Sequence, residues 1–156
     1  MTTIKKNWGI IGILIIAVWL LVPATQASAM TVKYNYTTYH TRLEWVPIPD
    51  MKGHIAGVFE RRGVAIFENE VAPLTIRGTF EKSKGIVSFQ AYNQTTFKDG
   101  STVTQKITGT LVPPPGEKLR LYEGKGVYIM GTGRFEGIKG TITITGREIT
   151  PLTKDD

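Results

Sequence analysis

The amino-acid sequence predicts an all-β protein: a single antiparallel sheet of about eight strands, closed into a barrel, behind a removable N-terminal leader. Apolar and polar residues alternate with period two over 102–111 and 138–147, as in strands with one buried and one solvated face. The 17 glycines and 8 prolines, against only 4 methionines, indicate many turns. No stretch of ten residues shows convincing helical periodicity.

The first 29 residues have the layout of a cleaved secretory signal peptide. Lys5 and Lys6 precede an apolar run over 8–22, and an Ala-Ser-Ala segment ends the leader at Ala29. The alternative is a membrane anchor, but the run is shorter than the roughly 20 residues needed and stops at Pro23. We therefore expect cleavage after Ala29, export to the periplasm or the extracellular space, and one β-barrel domain over 30–156 without a membrane segment.

The composition excludes several kinds of site. The chain has no cysteine, which excludes disulfides, thiolate metal sites, a cysteine nucleophile and a lipidated cysteine anchor. The net charge of +6 falls to +4 once Lys5 and Lys6 leave with the leader, and the remaining basic residues are scattered. Because no basic stripe follows a phosphate backbone, nucleic acid is not an expected partner.

Turn signals separate eight strand patterns along the mature chain. The patterns cover 31–46, 55–60, 64–67, 72–80, 85–97, 102–111, 119–130 and 138–147. Between them lie Pro47 and Pro49, Asn69, the Asp99-Gly100 pair, and a Pro-Pro-Pro-Gly turn at 113–116. The Asp99-Gly100 pair predicts a tight hairpin between the strands on either side.

A short motif, Gly-x-Phe-Glu, occurs at 57–60, 78–81 and 133–136. Its spacings are unequal, so it does not define a repeat architecture. It is interpreted as a recurring strand element, in which glycine permits close backbone approach and phenylalanine fills the core. Coincidence is the alternative.

The most distinctive segment combines Gly131, Gly133, Phe135, Gly137 and Gly140. A phosphate-binding glycine loop opens a helix, whereas the residues that follow here are β-branched and strand-like. The glycines are therefore predicted to be structural: they let a barrel strand kink while Phe135 plugs one end, and they do not contact a ligand.

This segment resembles the glycine-rich signature near the C-terminus of allene oxide cyclase and dirigent barrels, Gly-x-Gly-x-Phe-x-Gly followed by x-x-Gly. The proline-rich turn at 113–116 and the strand pattern at 119–130 fit the same outline. The resemblance implies an eight-stranded, calycin-like barrel with a lumen. In those families the cyclase steers ring closure of an unstable fatty-acid epoxide, and dirigent proteins steer phenoxy-radical coupling. Their catalytic residues have no matching positions here, so the resemblance implies the fold alone.

Aromatic residues along the strands suggest that the lumen holds a small molecule. An apolar site with a few polar groups is the usual form of a ligand pocket, and the alternative is a lumen packed solid by these side chains. Tyr36 and Trp45 fall on opposite faces of one strand, so at most one should reach the lumen unless a bulge intervenes. The candidate ligand-binding residues are Tyr36, His40, Trp45, His54, Phe59, Phe89, Tyr92 and Tyr128.

Metal and nucleophilic chemistry find little support in the sequence. His40 and His54 have no ligand-spaced partner on their own strands, so neither a metal nor another cofactor is expected. The sequence has no Gly-x-Ser-x-Gly elbow, and no catalytic residue is assigned.

Three functions fit these features. The leading hypothesis is an exported barrel that binds a small apolar or amphipathic molecule without catalysis. The second is a cyclase- or isomerase-type enzyme acting on a hydrophobic substrate in the same lumen, and the third is a structural or interaction protein with a filled barrel. A small hydrophobic molecule is the expected partner, and self-association stays open. Lumen volume separates the third from the others, while polar groups with strongly shifted pKa values would favour the second.

Overall fold

A computed structural model describes residues 32–117 and 119–149 of the chain. These residues form seven strands and one 3-10 turn, Gly133–Phe135. The strands are β1 (Asn35–Pro47), β2 (Ile55–Ile66), β3 (Val71–Ser83), β4 (Ile86–Thr96), β5 (Thr102–Val112), β6 (Leu121–Gly131) and β7 (Thr141–Arg147). The predicted leader and its cleavage site lie outside the described residues.

The strands form one antiparallel meander, in which each strand pairs with its neighbours in the chain. This confirms the all-β fold and the antiparallel sheet. In the part of the chain that the structure describes, β1 and β7 are the sheet edges and do not pair with each other. Closure into an eight-stranded barrel therefore stays a prediction. Nowhere in these ranges does a helix have the length and apolar character needed to cross a membrane.

The course of β2 corrects the strand count. The sequence predicted separate strands over 55–60 and 64–67, but the chain runs through as one strand. A Cβ atom at Gly63 would lie against the carbonyl oxygen of Thr37 on β1, so this glycine permits close strand pairing and does not turn the chain. The predicted break is wrong, and the described residues form seven strands instead of eight.

The core lies on one face of the sheet, as the alternation predicted. Val103, Gln105 and Ile107 on β5 are buried, and so are Ile142 and Ile144 on β7. The same period buries alternate residues on β3 and β4. The two ends of the sheet also approach each other, since the ring centroids of Tyr36 on β1 and Tyr122 on β6 are 6.2 Å apart.

The glycine-rich segment connects β6 to β7. The strand predicted from 138 begins only at Thr141, because the preceding residues belong to this connection. Phe135 packs on Phe97, with ring centroids 4.6 Å apart, beside a buried cluster of β3 and β5 side chains. Positive φ angles occur at Gly133 (59°), Gly137 (74°) and Gly140 (142°).

Candidate functional site

A cavity of about 220 Å³ lies against the buried face of the sheet. Side chains from all seven strands line it, so the sheet curls around this space. Most of the wall is apolar, with contributions from Ile76, Phe80, Val87, Ala91, Ile107 and Ile144. A mainly apolar wall with a few polar groups is typical of small-molecule sites.

The exposed lining residues show where the cavity opens. Thr37 and His40 belong to β1, whereas Arg147 and Ile149 lie at and just beyond the end of β7. Because β1 and β7 are the two unpaired edges in the described ranges, the opening lies where the curled sheet meets itself.

The cavity stays open because aromatic rings lie over glycines instead of filling the centre. Phe80 pairs across strands with Gly57, and Phe59 with Gly78. The same pairing places Phe89 opposite Gly109. A Cβ atom on any of these glycines would come within 3 Å of the ring opposite, so each ring lies flat on its partner strand. Large side chains therefore line the wall while leaving free volume.

Four of the eight predicted ligand-binding residues line the cavity. They are Tyr36, His40, Phe59 and Phe89, from β1, β2 and β4. The ring centroids of His40 and Phe59 are 6.2 Å apart, so these two residues form one side of the wall.

The other four predicted residues lie outside the cavity lining. Tyr92 is 43% exposed, with Lys106 Nζ 6.0 Å from its ring centroid. Tyr128 packs on the cluster beside Phe135. His54 precedes β2 and contacts two carboxylates, and Trp45 is half-exposed near the end of β1.

A bulge in β1 corrects the prediction that Tyr36 and Trp45 face opposite sides. The register with β2 shifts between His40 and Arg42, so that Tyr36 pairs with Ala65 and Trp45 with Gly57. Residues that pair across two strands lie on the same face of the sheet. The two β2 partners, Gly57 and Ala65, are eight positions apart, and β2 pairs with β3 without a register shift, so these two partners also lie on one face. Tyr36 and Trp45 therefore share a face.

The sequence-based choice missed several polar residues of the lining, among them Arg61, Asn93 and Tyr122. Arg61 follows Phe59 at a period of two, which indicates the same face, but an arginine next to another arginine suggests solvent. Asn93 is 4% exposed and lies in register with Ile76 and Gln105. Strands that are distant in sequence bury Asn93 and half-bury Arg61 and Tyr122, and local patterns do not show such burial.

Two titratable residues of the lining, His40 and Tyr36, favour their neutral forms. Although His40 lies at the opening, partial desolvation of its ring against the cavity wall, followed by the positive charge of Arg61, lowers its pKa from 6.5 to about 4. Burial, followed by the neighbouring Tyr122, raises the pKa of Tyr36 well above its usual value. Both side chains are therefore uncharged at neutral pH and act as hydrogen-bonding groups in an apolar wall.

No metal site accompanies the cavity in the described ranges. These residues contain no group of three or more His, Asp or Glu side chains placed to hold an ion. Both ring nitrogens of His54 are engaged by carboxylates: Nδ1 is 2.6 Å from Asp50 Oδ1, and Nε2 is 2.9 Å from Glu81 Oε1.

The His54 contacts predict a pH-dependent stability. The hydrogen bond to Asp50, followed by that to Glu81, raises the pKa of His54 above 6.5. The stabilisation is therefore complete below the unfolded-state pKa of 6.5 and is lost as the pH rises through the folded-state pKa. We expect the free energy of unfolding, measured with urea from about pH 6.5 to 9, to fall with pH more steeply than in His54→Gln. Equal slopes would contradict the assignment. His40 does not affect the comparison, because it is present in both proteins and contributes the same pH dependence to each.

Comparison of the chain with protein-family models, with curated proteins and with solved structures found no match. The resemblance to allene oxide cyclase and dirigent barrels therefore stays an expectation from the sequence features described above.

Proposed function

We propose that this protein binds a small apolar or amphipathic molecule in the cavity enclosed by its curled sheet. The observation that carries the proposal is the open volume of about 220 Å³ behind an apolar and aromatic wall. A filled core would have used the rings of Phe59, Phe80 and Phe89 to occupy that space, but they lie over glycines. The volume therefore supports ligand binding over the filled-barrel interaction protein.

The pKa values of Tyr36 and His40 favour ligand binding over cyclase- or isomerase-type catalysis. The pKa values of Tyr36 and His40 are strongly shifted, which alone would favour an enzyme. Both shifts, however, move away from neutral pH, and burial is their main cause. A general acid or base works best with a pKa near the working pH. Tyr36 and His40 are therefore better suited to orienting a ligand than to transferring a proton.

The barrel type belongs to the same proposal. An antiparallel meander curled around a cavity, with a glycine-rich connection before its last described strand, supports a relationship to calycin-like barrels of the allene oxide cyclase and dirigent kind. This relationship concerns architecture and the presence of a lumen, and transfers no activity. A crystal structure in which eight paired strands close into a barrel would support this relationship, whereas a sheet that stays open would contradict it.

A neutral hydrophobic dye tests the binding proposal directly. We expect N-phenyl-1-naphthylamine to bind the folded protein at one saturable site, measured by fluorescence titration. Apolar burial supplies the affinity, so binding should persist at high salt. Absence of saturable binding to folded protein would contradict the proposal.

A cavity variant and a matched surface variant locate the dye. Ala91 is 2% exposed and lines the cavity, so Ala91→Leu fills part of it and should weaken dye binding about tenfold. Thr108 is exposed on the neighbouring β5, and Thr108→Leu should leave the affinity unchanged. Equal effects of the two variants would place the dye elsewhere.

Export is the second part of the proposal, and it is supported by the basic, apolar and small-residue order of the leader. N-terminal sequencing of protein from the culture medium or periplasm of a secreting host should give a chain beginning at or near Met30. Material that retains residues 8–22 would favour the membrane anchor.

A further inference from the structure

Arg61 differs from every other arginine of the chain. The sequence has seven arginines, and among the described residues 32–117 and 119–149 none of the ion pairs includes Arg61. Each of the other six pairs with a glutamate: Arg42, Arg62, Arg77, Arg120, Arg134 and Arg147. The one arginine without a carboxylate partner is the one in the cavity wall beside Phe59 and His40.

The hydrogen bonds of Arg61 are also incomplete. Its Nη2 donates to the carbonyl oxygen of Thr38 over 3.4 Å, and its Nε is buried with no hydrogen-bond partner. Burial lowers the pKa of Arg61, but an arginine stays protonated at any ordinary pH. A buried charged donor without an acceptor is costly, and an acceptor supplied by a ligand would relieve that cost.

The neighbouring charges leave this cation uncompensated. Glu148 also lines the cavity and attracts Arg61 from a distance, but its Oε2 lies 3.2 Å from Nη1 of Arg120. Arg147 at the opening pairs with Glu117 at 2.9 Å. The wall therefore combines an apolar surface with one available positive charge.

We propose that the ligand is an amphipathic monocarboxylate, whose carboxylate binds Arg61 while its apolar tail lies against the aromatic and aliphatic wall. This inference depends on the proposed function, since it names the ligand class of the same cavity. A single guanidinium matches the charge and the two oxygens of one carboxylate, whereas a phosphate monoester carries more charge than one arginine balances. A cavity of about 150 Å³ holds benzene, so this larger one encloses an acid of about ten non-hydrogen atoms, while the opening between β1 and β7 lets part of a larger molecule such as the dye extend outward.

Octanoate has that size, and 1-octanol is its uncharged counterpart. We expect octanoate to displace N-phenyl-1-naphthylamine from the wild-type protein at a concentration at least tenfold lower than 1-octanol does. The comparison uses one protein and two ligands of equal chain length, so it isolates the head group. Equal potency of the two ligands, with the dye still bound at one site, overturns the carboxylate inference and leaves the cavity proposal intact.

Two variants assign the effect to Arg61. Arg61→Met keeps an apolar stem but removes the charge, and should weaken octanoate binding about tenfold while changing dye and 1-octanol binding less than twofold. Arg62→Met is the matched control, because Arg62 is adjacent, exposed and paired with Glu60, and it should change none of the three.

The remaining outcomes also decide the question. If folded Arg61→Met loses dye, alcohol and acid binding together, Arg61 is a structural part of the wall and the inference fails. If Arg61→Met does not fold, the ratio of octanoate to 1-octanol potency in wild-type protein decides alone. If the dye does not bind wild-type protein, the proposed function itself fails.

Discussion

Arg120→Met is expected to lower the free energy of unfolding by about 3–5 kcal/mol at neutral pH. Arg120 is 4% exposed and Glu148 is 7% exposed, and their side chains meet at 3.2 Å. The Glu148 amide also donates to the Arg120 carbonyl oxygen over 2.8 Å, which joins the segment before β6 to the end of β7. Removing the guanidinium leaves a buried carboxylate without this partner, and the desolvation of that charge is then no longer offset.

Urea unfolding of three variants tests this expectation. The double variant Arg120→Met with Glu148→Gln removes both charges and should recover most of the loss, because the cost comes from the buried carboxylate that has lost its arginine. Arg147→Met breaks an ion pair whose side chains are 57% and 45% exposed, and should have little effect. A double variant as unstable as the single one would show that the arginine contributes through packing instead of charge.

The Arg120–Glu148 ion pair also determines the charge of the cavity wall. Because Arg120 engages Glu148, the carboxylate at the edge of the cavity does not neutralise Arg61. Buried Arg120 and half-buried Arg61 thus have different roles: Arg120 balances the protein's own acid, and Arg61 is proposed to offer its charge to a ligand. Neither role follows from the local sequence, because Arg61 lies next to Arg62 and Arg120 lies two positions after a lysine, which suggests solvated residues in both places.

The sequence predicted the faces of the strands well. The buried set Val103, Gln105 and Ile107 and the buried pair Ile142 and Ile144 follow the alternation. The hairpin at Asp99-Gly100 is also confirmed, with the Gly100 amide donating to the Phe97 carbonyl oxygen over 3.0 Å. These features depend on neighbouring residues along the chain, and local patterns are sufficient for them.

The Gly-x-Phe-Glu motif shows how far such patterns reach. Its copies at 57–60 and 78–81 lie opposite each other on β2 and β3, so each phenylalanine covers the other copy's glycine. The predicted close approach fits these two copies, whereas their phenylalanine rings cover glycines in the cavity wall instead of filling the core. The third copy forms the 3-10 turn at Gly133–Phe135, where the same residues serve a connection.

Half of the candidate site could not be predicted, because the burial of its residues depends on contacts between strands and on a bulge that local sequence does not reveal. A single bulge between His40 and Arg42 changes which β1 residues face inward, and nothing in the residue types marks it. Tyr92 looks like a lumen residue by composition but alternates with buried Ala91 and Asn93, so it faces outward. Arg61 was missed because its burial depends on the whole curled sheet.

The second large effect on stability is expected from valine substitutions in the glycine-rich connection between β6 and β7. Gly133 has a φ of 59°, and a Cβ atom there would lie against Ser101 Oγ, which accepts a hydrogen bond from the Arg134 amide at 3.2 Å. Gly137 has a φ of 74° with no atom within 4 Å of the same position. Valine at Gly133 therefore meets both backbone strain and a steric clash, whereas valine at Gly137 meets strain alone.

We expect Gly133→Val to lower the free energy of unfolding by about 3 kcal/mol and Gly137→Val by about 1–2 kcal/mol. Melting curves give the order of the two variants, and dye titration of the folded proteins should show affinities within twofold of wild type, since neither glycine lines the cavity. Loss of dye binding at unchanged stability would instead make this connection part of the binding site. Equal losses of stability would mean that Ser101 moves aside without cost and that the left-handed backbone conformation alone requires glycine at both positions.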